Sequence, residues 1–139
     1  MRRKLKNFTV ATGLLVIALG AFPGSKTNPM VNGTIAWDSP KTKALFDRAC
    51  LDCHSNETKW PWYANFGPSS WLVIHNVNEG REEFNISNPN FGNAEKAWKV
   101  VKNEEMPPWD YLLLHPEARL SEIEKSELVS GLKATFPDE

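Results

Sequence analysis

Cysteine is scarce in this chain, with only Cys50 and Cys53 among 139 residues. Two cysteines three positions apart cannot staple a fold, so a disulfide framework is excluded. A structural zinc site built of three or four thiolates is excluded with it. Histidine is nearly as scarce, at 54, 75 and 115. There is no alternating strand pattern of useful length, no internal repeat and no low-complexity tract, which leaves helices as the only regular structure the pattern supports. The longest apolar run, residues 8–22, falls short of the roughly 20 residues that span a bilayer comfortably. Charge is balanced, 16 Lys+Arg against 17 Asp+Glu. Without a basic excess the chain has no electrostatic reason to seek nucleic acid.

What is present is concentrated in one place. Both cysteines and one histidine form the run Cys50-Leu51-Asp52-Cys53-His54, the signature of covalent c-type haem attachment. On a helix, positions i, i+3 and i+4 share a face, so two sulfurs and an imidazole can address one flat ligand. Cys50 and Cys53 are then expected to form thioethers with the haem vinyl groups, and His54 to be the proximal iron ligand. Two other readings compete. Half of a zinc site would have to complete itself with His75 or His115, without a third cysteine. A thioredoxin-like redox pair needs a strand before it and a βαβ context, which the flanks do not suggest.

Arg2, Arg3, Lys4 and Lys6 precede the uncharged stretch 7–25, with small residues Ala18, Gly20 and Ala21 near its end. This is the layout of a signal peptide, or of an N-terminal anchor, over residues 1–22. Export to the periplasm, soluble or held at the inner membrane, is expected. Removing residues 1–20 would take away four basic residues and leave 12 Lys+Arg against 17 Asp+Glu. Redox partner proteins with a basic face fit such an acidic domain, and membrane attachment would run through residues 7–25.

Residues 23–38, rich in Pro, Gly, Asn, Ser and Thr, read as an extended linker, with Ile35 and Trp37 able to tuck against the domain at 39–137. Ser39-Pro40 starts a helix that should run into the cysteine motif. An aromatic, proline-punctuated loop follows, then a helix from about Ser69 or Ser70 that Gly80 could interrupt. After a turn over 85–92, a third helix starts at Asn93 and stops before Met106-Pro107-Pro108. Ser121 and Glu124 form a capping box for the last helix, which Pro137 ends. The six tryptophans suit either an aromatic core or the wrapping of an apolar plate. For the haem pocket, Trp60, Tyr63 and Pro68 are the candidates, with Arg81 and Lys59 as further partners for propionates. Met106, alone at a helix end before two prolines, is the expected distal ligand. His115 and His75 are the alternatives, and an open position would admit a gas or peroxide. The proximal histidine needs a carbonyl for its other N–H, which a resemblance to small cytochromes c implies comes from the Gly67-Pro68 region.

The motif Cys50 to His54, the following Trp60-Pro61-Trp62-Tyr63, Pro68-Ser69-Ser70-Trp71, Asn78-Glu79-Gly80-Arg81, Met106-Pro107-Pro108 and His115-Pro116 together resemble the bacterial haem-binding domain family, small exported single-haem proteins similar to c-type cytochromes. Gly67 departs from the family pattern, which has alanine before the proline. The resemblance implies haem attachment at Cys50 and Cys53, ligation by His54 and by Met106, and an all-α, cytochrome c-like helical domain wrapped around one covalent haem c. The expected function is electron transfer, not enzymatic catalysis. A haem enzyme or sensor with an open distal site is the alternative, and a zinc-binding interaction module the third.

Overall fold

The computed structural model describes residues 24–137. The expected signal or anchor segment lies outside these described residues. Among them the regular structure is helical, and the one β pairing is an isolated bridge between Phe84 and Gly92. The chain is all-α.

Helix α1 (Pro40–Ala49) begins where the sequence places it. Ser39 is extended, its Oγ accepts the Thr42 N–H at 3.1 Å, and Pro40 occupies the first turn, where its missing N–H leaves no bond unmade. Thr42, Leu45, Phe46 and Ala49 are buried, the spacing of a single inward face. The helix runs up to the motif but not through it. It breaks at Cys50 (φ −129°, ψ −29°), and a separate four-residue helix, α2 (Leu51–His54), follows. Hydrogen bonding still carries across the break: Cys50 N–H donates to Phe46 O at 2.8 Å, and His54 N–H to Cys50 O at 3.0 Å.

Helix α3 (Gly67–Glu83) starts earlier than expected, with Pro68 in its first turn, and Gly80 does not interrupt it. Then come a turn, α4 (Ala97–Lys102), α5 (Trp109–Leu114) and α6 (Glu122–Thr135). Helix α5 was not anticipated. It is six residues long, follows two prolines and is apolar almost all round, so it shows no stripe for periodicity to detect. Helix α6 carries the reciprocal capping box of Ser121 and Glu124.

The chain divides into two compact units. One comprises residues 24–27 and Trp60–Asn76; in it the Gly24 N–H donates to Ser70 Oγ at 3.1 Å. The other comprises residues 28–59 and 77–137 and holds the core, in which Phe46, Leu128 and Leu132 are at most 1% exposed and pack with Phe84, Ala97 and Val101. Within this unit the stretch expected as a linker lies against the core: the Trp37 ring is tilted against Phe46 at 5.0 Å and meets Phe136 edge-on at 6.0 Å. The amides of Asn32 and Gly33 both donate to Ser87 O, at 2.8 and 2.7 Å.

Candidate functional site

His54, at the end of α2, is 7% exposed. Its ring lies flat against Phe84, centroids 4.0 Å apart and planes at 12°. Its Nδ1 is 3.1 Å from the Phe84 carbonyl oxygen. A carbonyl only accepts, so Nδ1 carries the proton and the lone pair of the neutral ring is on Nε2. Burial lowers the pKa of His54, against the opposing pull of the Phe84 and Gly80 carbonyls. A buried imidazole with one nitrogen tied to a carbonyl and the other holding a lone pair is the state in which histidine binds a metal.

The acceptor is thus Phe84, just past the end of α3, and not a carbonyl of the Gly67-Pro68 region as expected. A buried polar network holds it there. Ile86 N–H donates to His54 O (3.0 Å), Asn56 N–H to Ser87 Oγ (2.9 Å), and Asn85 Nδ2 to Asn56 Oδ1 (2.8 Å). These bonds staple residues 84–87 along 54–56. No side-chain signature marks a backbone carbonyl in a sequence; the buried Asn85, Ser87 and Asn56 were the only hint that this segment has a partner to satisfy.

Cys50 and Cys53 are half-buried free thiols. Burial first, then Cys53 and Asp47, push the Cys50 thiol up to about 12. Burial and Asp52 push Cys53 up to about 11, against the pull of Arg81. Gly80 lets α3 reach the motif backbone: a Cβ on it would stand 2.7 Å from Cys53 O. Asp52, between the cysteines, ties three segments together. Its Oδ1 accepts the Lys59 N–H at 2.9 Å and its Oδ2 the Tyr111 hydroxyl at 3.1 Å, which anchors α5 to the motif. Arg81 spans the loop beyond, donating to Ser55 O (2.8 Å), Thr58 Oγ1 (2.9 Å) and Asn28 Oδ1 (3.0 Å).

Met106 lies in the turn between α4 and α5, 36% exposed, its amide donating to Val100 O at 3.2 Å. Helix α5 buries no residue; Trp109, Leu113 and Leu114 are each at least 60% exposed. An uncovered apolar surface of this kind, pinned to the motif through Tyr111, is suited to covering an apolar plate. His115, half-buried, caps the end of α5, stacked 4.0 Å from Tyr111 and with Nδ1 2.9 Å from Glu117 Oε1. Trp60, Tyr63, Pro68 and His75 belong to the other unit. There Trp60 and Tyr63 are half-buried, while Pro68 and His75 are exposed. Among the described residues no group of three or more His, Cys, Asp and Glu could hold a metal ion, whereas a structural zinc site needs four donors.

The donor chemistry around His54 fits a porphyrin iron: one neutral imidazole, two free thiols beside it, and apolar surface tethered nearby. The chain matches the family model described as haem-binding domain over residues 14–134. No curated protein and no solved structure matches it.

Proposed function

The chain belongs to the haem-binding domain family, and on that premise we propose that it is an exported electron carrier holding one covalent haem c. Haem binding follows from the family; the covalent attachment, the ligands and the electron transfer are our reading. The observation that carries it is the environment of His54, buried, neutral and oriented by Phe84 O, in the same short helix as Cys53 and four residues past Cys50.

In this reading Cys50 and Cys53 hold the porphyrin through two thioethers, and His54 offers Nε2 to the iron. The Phe84 carbonyl keeps the tautomer and makes the imidazole a stronger donor. Met106 would be the iron's other protein ligand, and Tyr111, bonded to Asp52, would help to hold the segment that bears it. Haem so held supplies an iron that alternates between ferric and ferrous states. The chain's share is to set the potential through ligands, burial and hydrogen bonds, so no acid, base or nucleophile is needed. The partners are redox proteins.

The test uses protein produced with a haem-attachment system. After acid-acetone extraction the pigment should stay with the polypeptide and give the pyridine haemochrome of a haem bound by two thioethers. Cys50→Ala combined with Cys53→Ala should release it. A colourless mature protein, or pigment lost wholly to the solvent, defeats the proposal. The oxidised protein should show the weak far-red band of methionine-ligated iron, and Met106→Ala should abolish it and open the iron to added ligands. An unchanged spectrum removes Met106 from the account, and high-spin iron in the parent protein points to an open-site enzyme or sensor.

A further inference from the structure

Residues 60–78 contain no Asp, Glu, Lys or Arg in a chain that is 24% charged, and 7–25 is the other long uncharged stretch. The structure brings the end of one against the other. Gly24 N–H donates to Ser70 Oγ at 3.1 Å, and a Cβ on Gly24 would stand 2.6 Å from Ile74 Cδ1 and 3.8 Å from Trp71 Cδ1. Lys26 Nζ bonds Asn65 Oδ1. Around this junction lies apolar surface turned to solvent: Trp62 is 75% exposed, Phe66 58%, Leu72 51% and Trp71 43%. Trp62 meets the rings of Tyr63 and Phe66 edge-on, each at 5.9 Å.

We propose that Trp62, Phe66, Trp71 and Leu72 form a docking surface for the lipid headgroup layer, lying beside an N-terminal segment that is retained as a membrane anchor. This rests on the exported, haem c reading above and commits its soluble-or-anchored choice to anchored. Chain length supports it. Gly24 is two positions past Phe22, a span of at most about 7 Å. The headgroup layer on each side of a bilayer is about 5–8 Å deep. With residues 8–22 in the hydrocarbon, the surface beside Gly24 falls at headgroup depth, where tryptophan and other amphipathic rings concentrate. The lack of charge across 60–78 favours this layer over a partner recognised by complementary charge, and apolar patches rimmed by polar residues mark such contacts.

The experiment uses the full-length, haem-loaded chain in phosphatidylcholine and phosphatidylglycerol nanodiscs. In that protein both native cysteines are in thioethers, so a spin label reacts only with an introduced thiol. Trp62→Cys and Phe66→Cys are compared with Ser130→Cys, an exposed site on α6. Collision with a water-soluble nickel chelate should be several-fold lower at 62 and 66 than at 130, and collision with oxygen higher. Equal nickel accessibility at the three sites, in a chain still held in the disc, overturns the docking surface while sparing the anchor. An exported protein whose mass lacks residues 1–22 overturns both. A haem absorption spectrum altered by the label at 62 or 66 also overturns it, by reassigning the surface to the cofactor. If the haem reading itself fails, Cys50 and Cys53 take up label as well. The same comparison in a Cys50→Ser, Cys53→Ser background then decides the surface independently.

Discussion

At the scale of single residues, the structure's main information is about partners. His54 is legible in the sequence because it follows a paired cysteine motif; its orientation is set by Phe84, whose contribution is a main-chain oxygen and a flat ring. Glu124 shows the same dependence on partners in a structural role. It accepts the Ser121 amide and hydroxyl and pairs with Arg48 on α1 at 2.7 Å, which together hold its carboxyl down to about 2. In an unfolded chain a glutamate titrates near about 4.3. The stabilisation is therefore fully present above that value and is lost as pH falls towards about 2. Glu124→Gln, which keeps the shape of the capping box, should be less stable than the parent at pH 7. The gap between their urea midpoints should narrow below about pH 4.5; a gap independent of pH would show that charge contributes nothing.

At the scale of elements, two glycines set how closely helices meet. Gly80 lets α3 approach the motif backbone, and Gly131 lets α6 approach α1. A Cβ on Gly131 would stand 2.0 Å from Thr42 Oγ1. In an exposed helix, glycine to alanine gains about 1 kcal/mol. Here the displaced helix should reverse the sign, and Gly131→Ala should lose about 1–3 kcal/mol, as overpacked sites do. Chemical denaturation measures it, and a more stable variant would mean the helices part at no cost. Gly80 read as an interruption in the sequence because glycine's low helix propensity is visible there and the neighbouring chain it accommodates is not. Helix α5 escaped for the opposite reason. Its pattern is uniform, and what ties it to the motif is the bond from Tyr111 to Asp52.

At the scale of the whole molecule, apolar residues are used in two ways. The larger unit buries a contiguous core under α1, α4 and α6, while α5 and the 60–76 region leave large apolar side chains in water. Local stability follows buried contacts. In hydrogen exchange, amides of α4 and α6 should be the slowest, and those of α5 fast in a Cys50→Ala, Cys53→Ala protein without haem. In the haem-loaded protein α5 should become markedly slower if its exposed apolar side chains meet the cofactor. Equal protection of α5 in the two would show that it plays no part in enclosing haem.

The sequence by itself determined whatever depends on local spacing: the Cys50-to-His54 motif, the Ser39 and Ser121 helix starts, the turn after Phe84 and the all-α class. Each is a matter of neighbours within about one or two turns, where residue type alone dictates backbone preference and capping. Tertiary structure decided the rest: the break at Cys50, the Phe84 carbonyl on His54, the tether of α5 at Asp52, and the meeting of Gly24 with Ser70. These join residues from 30 to 59 positions apart or, at Cys50, a conformation imposed on the motif within the fold. Backbone groups and missing side chains do much of that joining, and they are alike at every position until the chain has folded.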